Sequence, residues 1–394
     1  IAEALEGLYV AEVEAHAGEL AHHYAEALTI TGPAKLAHYS LLAGERALAA
    51  YAWEEALAHF QRGLAAMGTA LEGALPARDA SEAALLFGLG RALAATSQRY
   101  QLQSLVDLLN RSFAYYEKAG DVPQAVAVAE YPLPTAPLSR TGAALFIPRA
   151  LNLVPSDSLA AGRLLSSYGA ELGRVENDHA NAQDMFSKAL TIARREQDSA
   201  LEARILAESA IVDLYHLHLG EAVEKAKQAL ELAHSLDEPR AALFAHEVAA
   251  RALARMGEAA PALQHASADL ELAEKLRDRD RLVLALWLNA TVYRQLGDWQ
   301  RARSLIDRGL GSAPQDLTLL GDRALLEYEV GNFSQGQACL EQALEIIHSI
   351  VASRPSSQYS LPAQIIPRVA RITGALDRLE VAATAAETIL SSPL

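Results

Sequence analysis

Arg251 and Arg255 stand four residues apart, with Glu247 four residues before Arg251, so a helix through this segment carries all three on one face. Guanidinium forks so placed suit a planar anion, a carboxylate or a phosphate, held by paired hydrogen bonds. The equivalent face of the next helix in the same register offers Trp287, Thr291 and Arg294, and the one after it Tyr328. Tyr215 and Glu171 extend the row towards the N-terminus and Arg371 towards the C-terminus. A tryptophan beside arginines adds a rigid apolar anchor of the kind that dominates protein recognition sites. These residues form the candidate ligand- or partner-binding surface, fit for an acidic peptide or a small anion. In the competing reading the arginines pair with neighbouring glutamates and Trp287 packs between repeats.

Histidine clusters raise the question of a metal. His16, Glu19 and His23 fall near one face of a helix that also carries His22, but neither H-E-x-x-H nor its inverse occurs, and no distant third ligand is identifiable. His216 and His218 point to different faces near a helix end, where imidazole can cap free carbonyls. No metal and no cofactor is therefore expected. Catalysis has as little support: Cys339 takes a buried helix position without a nearby histidine, no G-x-S-x-G elbow exists, and the carboxylate pairs sit in outward turns.

The elements that must position the row are helix pairs. Ala182, Ala222, Ala262 and Ala302 recur about every forty residues, a spacing that marks a stack of supersecondary units, none of which can bury its apolar face alone. Each is preceded twelve residues earlier by another small residue, Ala170, Ala210, Ala250 and Ala290; Ala324 with Gly336 and Ala370 with Ala382 continue the series. Two helices joined by a tight turn bring such residues together where backbones approach closely. Gly257, Gly297 and Gly331 mark the turns with the positive φ of a helix C-cap, and Asp298 or Asn332 can cap the second helix of its pair. Upstream, Gly44 and Ala47 precede Ala56 and Phe60; Gly90 reads as a helix contact and Gly120 as a turn. Trp53 and Trp299 share one position at the start of a second helix, which predicts inter-repeat packing.

Two stretches break the pattern. "PLPTAPLS" at 132–139 cannot continue a helix, since each proline removes a donor and restricts its predecessor. "RPSSQYSLP" at 354–362 reads as a polar loop and the most disordered stretch. The expected division is 1–131, N-terminal helices and first irregular repeats; 132–157, a proline-containing joint and irregular helix; and 158–394, a regular array. The fold class is all-α, a tetratricopeptide-like (TPR) superhelix with a period of about 34–46 residues.

From Glu19 to Met67 the chain resembles the start of the helical sensor region in STAND signal-transduction ATPases, the maltose-activator, LuxR-like and cyclase-linked kinds. The likeness rests on "AHHY" at 21–24, on 43–47, "AGERA", and on Tyr51 with Glu55, Ala56, His59 and Leu64. It implies a sensor that binds a stimulus and controls autoinhibition and oligomerisation, with the nucleotide-binding domain upstream in the same polypeptide as partner. The family's P-loop is absent from these residues, so no nucleotide site is carried over.

Composition sets limits. The hydrophobic share is 51% with only 6% aromatics, so alanine and leucine supply the apolar count. A formal charge of −15 argues against gripping nucleic acid or anionic lipid. No apolar run is long enough to span a bilayer, no signal peptide is visible, and a single cysteine fits a reducing compartment, so a cytoplasmic, non-enzymatic regulator is expected. Its partner would be a protein or a small-molecule inducer. A free-standing TPR scaffold is the alternative.

Overall fold

The computed structural model describes residues 1–9, 12–96, 102–131, 146–236, 238–276, 279–350, 360–374 and 379–391. The proline-rich stretch 132–139 and residues 354–359 of the polar loop lie outside these. Residues 360–362 open a helix instead of closing the loop. All regular structure among the described residues is helical, in two compact units, Ile1–Thr135 with Arg140–Tyr168, and Gly169–Leu394.

The first unit holds α1 (Ala2–Leu8), α2 (Ala17–Glu26), α3 (Leu28–Thr31), α4 (Pro33–Ala49), α5 (Trp53–Ala66), α6 (Ala80–Thr96), α7 (Leu102–Ala119), α8 (Val122–Ala129) and α9 (Ile147–Leu151). Phe60 is fully buried and organises three of them. A Cβ built on Gly44 of α4 would meet its ring at 2.5 Å and one on Gly88 of α6 at 2.3 Å, so the ring lies between two bare backbones. At the N-terminus Glu6 accepts from the hydroxyls of Tyr24 and Tyr39 and from Lys35. Lys35 first, then both tyrosines, hold its carboxyl down at about 2.

α10 (Leu159–Arg174) leads into the second unit, which continues as α11 (His179–Arg195), α12 (Ser199–Tyr215), α13 (Leu219–Leu236), α14 (Pro239–Met256), α15 (Ala259–Leu276), α16 (Arg279–Gln295), α17 (Trp299–Ser312), α18 (Leu317–Glu329), α19 (Phe333–Ile350), α20 (Ser360–Thr373) and α21 (Leu379–Ser391). Each alanine of the forty-residue series is completely buried at the contact of a helix pair. Where glycine replaces alanine the closeness is plain: a Cβ on Gly336 would stand 3.1 Å from the Ala324 carbonyl oxygen. The turns take positive φ where the glycines predict it, 84° at Gly257, 78° at Gly297 and 86° at Gly331, and Asn177 and Leu217 adopt it without glycine, at 58° and 63°. Asp298 caps α17 by accepting from the Arg301 amide, while Asn332 turns its side-chain amide onto Glu327.

First helices of successive pairs also touch: α12 meets α14, α14 meets α16, α16 meets α18 and α18 meets α20, with no comparable packing between α13 and α15 or α15 and α17. The crowded side of the stack is therefore the wall of first helices, where the candidate residues stand. This is a TPR-like helical-repeat fold, and among the described residues no helix is long and apolar enough to cross a membrane.

Candidate ligand-binding surface

Glu247 is the centre of the α14 face. It is only 2% exposed, yet each of its carboxylate oxygens has a guanidinium partner: Arg251 Nη1 at 2.8 Å on Oε1, and Arg281 Nη1 at 2.9 Å on Oε2. The first bond follows from the four-residue helical spacing, the second from α16 packing beside α14. Both arginines also lie over aromatic rings, Arg251 at 5.5 Å from the Tyr215 centroid and Arg281 at 5.0 Å from that of Phe244. Arg255 stays exposed and donates from Nη1 to the Leu214 carbonyl at 3.1 Å. Burial lowers the Arg255 pKa, and the neighbouring charge of Arg251 lowers it further. For Arg251 burial also pulls down, but Glu247 and then Tyr215 outweigh it, and the group is raised.

Asp269 of α15 completes the cluster, although the sequence register of the first helices does not include it. It is 2% exposed, and burial first, then repulsion from Glu247, push its carboxyl up to about 8 against the pull of Arg281. At neutral pH this favours its protonated form, so Glu247 is the carboxylate that Arg251 and Arg281 share, with Arg255 beside Arg251. The Nε of Arg251 is buried without a hydrogen-bond partner, as is that of Arg294. Buried donors left unmatched are costly, and an acceptor brought by a ligand is one way to match them.

Further along the wall the side chains join neighbouring repeats. Trp287 donates from Nε1 to Asp322 at 2.7 Å, and Thr291 donates to the same oxygen at 3.1 Å. Burial raises the Asp322 carboxyl, opposed by Arg294, Thr291 and Trp287. Arg294 pairs with Glu329 at 2.8 Å, and Arg174 of α10 with Glu208 of α12 at 3.1 Å. Tyr328 and Glu171 are buried, not surface groups; Tyr328 donates its hydroxyl to Gln337 at 2.8 Å and packs in the α18, α19 and α20 core. Arg371 is exposed on α20 and has no place in the Glu247 cluster. Arginine pairing, of Arg251 and Arg281 with Glu247 and of Arg294 with Glu329, and Trp287 packing between repeats thus both occur.

Other polar centres escaped the sequence reading. Glu327 is 1% exposed and holds Arg303 at 2.7 Å, Arg323 and Asn332. Asp213 gathers His179 at 2.8 Å, Gln183 at 2.9 Å and Lys225 at 2.6 Å. His216 caps a carbonyl, that of Gly173 at 2.8 Å, and His218 stacks on His179. His16 stacks on Tyr9 between Glu12 and Glu19, with no convergence on His22 and His23. Trp299 stays 37% exposed and, with Leu296, lines a shallow cavity of about 620 Å³ at the α16–α17 turn. A second cavity of about 640 Å³, between Val223, Leu253 and Met256, includes none of the candidate residues either.

A usable signal did exist. Counted from the second-helix alanine or glycine, the Asp269 position holds Ala189, Ala229, Gly309 and Ala343 in four of the other pairs and Ile389 in the last, so a carboxyl there departs from a run of small or apolar residues. His246, Glu247, Arg251, His265 and Asp269 all belong to one repeat, α14 with α15, which concentrates buried or half-buried titratable groups.

No protein-family model matches the sequence, and no curated protein matches it. Among solved structures, a Rap protein complexed with competence and sporulation factor aligns over 90% of this chain and 96% of its own, at 14% identity and a TM-score of 0.54. The apo form of RapI aligns over 90% and 96%, at 13% identity and a TM-score of 0.49. A tetratricopeptide repeat protein from Parabacteroides merdae aligns over 73% and 93%, at 17% identity and a TM-score of 0.46. The first of these likenesses concerns the fold alone.

Proposed function

We propose that the chain is a recognition module that binds an anionic group of a protein or peptide partner, or of a small-molecule inducer, on the wall of first helices at Arg251, Arg255 and Arg281. The observation that carries this reading is the Glu247 carboxylate shared by Arg251 and Arg281, with Arg255 exposed beside Arg251 and the Asp269 carboxyl pushed towards its neutral form. Tyr215, Trp287, Thr291 and Arg294 border the site. Glu247 orders the arginines from beneath and does not itself meet the ligand. In its fuller form the module is the cytoplasmic sensing part of a STAND-type ATPase, where occupancy releases autoinhibition by biasing an existing equilibrium; the "AHHY" and "AGERA" segments support this. The fold class and the absence of a P-loop from these residues suit a non-enzymatic module, and equally a scaffold.

Fluorescence anisotropy with labelled acidic and basic peptides tests the anion site. Arg255→Ala is expected to weaken acidic-peptide binding about tenfold, the size of one charge-assisted hydrogen bond, with only a small change in melting temperature from the loss of its bond to the Leu214 carbonyl. Unaltered affinity, or tighter binding of basic peptides, overturns the site. For the sensor form, the coding sequence before Ile1 decides: a P-loop followed by a winged helix supports it, and an adjacent start codon removes it.

A further inference from the structure

His246 of α14 and His265 of α15 face each other with Nδ1 to Nδ1 at 2.9 Å, rings inclined at 48°. Both are half-buried between the helices of one pair. Their positions are mostly apolar in the other pairs: four residues before the first-helix alanine stand Leu206, Leu286, Leu320 and Ile366, and three after the second-helix alanine or glycine stand Met185, Leu305 and Cys339, with Ser166 and Lys225 the exceptions. This pair of helices therefore gives up apolar packing to bring two imidazole nitrogens together. Burial, then His265 and His234, lower His246 to about 4; burial, then Lys227, lower His265. Both rings are thus neutral at neutral pH, the form that ligates a metal. Lys227, the cation on the α13 side, is tied to Glu224 at 2.9 Å.

In the arrangement as it stands one Nδ1 donates and the other accepts, which leaves a single hydrogen bond to offset two half-buried rings. A metal in place of the shared proton would use both lone pairs. Tetrahedral ligation with metal–nitrogen distances of about 2.0–2.1 Å sets the nitrogens about 3.3 Å apart, so the pair needs to open by only about 0.4 Å. His234 of α13 is exposed, with its ring centroid 6.3 Å from that of His246. Among the described residues no group of three or more His, Cys, Asp or Glu is already in ligating geometry, so the pair is the site and water or His234 completes it.

We infer that His246 and His265 form a binding site for a late first-row divalent transition metal such as Zn²⁺ or Ni²⁺, which clamps α14 to α15 one helical turn from Arg251. It stands apart from the anion site and needs no ligand there.

The test is a Zn²⁺ and Ni²⁺ titration of the full chain, free of any purification tag, by calorimetry and thermal melting, with Mg²⁺ as control. The comparison is the double variant His246→Leu, His265→Leu, which installs the leucine found at Leu206, Leu286 and Leu305 in the neighbouring repeats. The wild type should bind one more equivalent of Zn²⁺ or Ni²⁺ than the variant and melt several degrees higher with it, while Mg²⁺ moves neither. Equal stoichiometry in both proteins, or no metal-dependent shift in the wild type, overturns the site. Should the double variant not fold, His265→Asn, which keeps a hydrogen-bonding partner for His246 but is a poor ligand, is read in the same way.

Discussion

At the scale of single residues, Asp269 is the most informative. A carboxyl with a native pKa of about 8 and an unfolded value of about 3.9 holds a proton in the fold that the unfolded chain releases. The native state is therefore penalised progressively as pH rises from about 4 to about 8 and not at all below that window. Asp269→Ala, which installs the residue found at Ala189, Ala229 and Ala343, should stabilise the protein by about 1 kcal/mol or more at pH 8 and by almost nothing at pH 4. Urea denaturation at both pH values measures this, and a variant less stable than wild type at pH 8 would refute the assignment. The same residue separates the legible from the hidden. The arginines of α14 are readable from the sequence because a four-residue spacing fixes their face. That Glu247 lies beneath them and shares itself with Arg281 is not, because that partner is supplied by the next repeat.

At the scale of the helix and its turn, the sequence is most transparent. Twelve-residue offsets between small residues locate every pair from α10 with α11 onward, and glycines mark the turns at Gly257, Gly297 and Gly331. Leu217, like Tyr51, Asn177 and Gln197, departs from the glycine rule: it holds φ at 63° with its side chain 71% exposed, so the left-handed conformation is unrelieved by packing. Leu217→Gly should stabilise the α12–α13 turn by up to about 1 kcal/mol, after the extra freedom of glycine in the unfolded chain is subtracted. Equilibrium unfolding reads the gain, and a clear loss would show that the Leu217 side chain contributes contacts of its own. Aspartates are equally legible as caps when they open a helix, as Asp298 does, whereas Asn332 is diverted to Glu327 by a buried charge that no local pattern reveals.

At the scale of the whole molecule, charge and site oppose one another. The 394 residues carry a formal charge of −15, while the proposed anion site is locally cationic. An acidic peptide thus meets repulsion at long range and attraction only on contact, and the two respond differently to salt, because screening acts beyond a Debye length of about 10 Å at 0.1 M. Raising ionic strength from about 0.01 to about 0.1 M should therefore speed association of an acidic peptide in stopped-flow experiments. A rate that falls over this range would mean that the cationic surface dominates the field. Composition shows the sign of the global charge directly; the size of the local reversal depends on the Asp269 carboxyl, which burial and then Glu247 push towards its neutral form.

The links between successive first helices also limit how the array can vary. Trp287 reaches Asp322 and Arg294 reaches Glu329 across 35 positions, and Glu247 reaches Arg281 across 34. The joints differ in kind or in polarity: an indole meets a carboxylate at Trp287, the arginine stands on the earlier helix at Arg294 with Glu329, and on the later helix at Arg281 with Glu247. Repeats in this array are consequently not interchangeable parts: deleting or duplicating one would leave these donors and acceptors without their partners at the new junction. Its length is fixed by keyed joints, and a change at one of these positions is tolerated only with a matching change one repeat away.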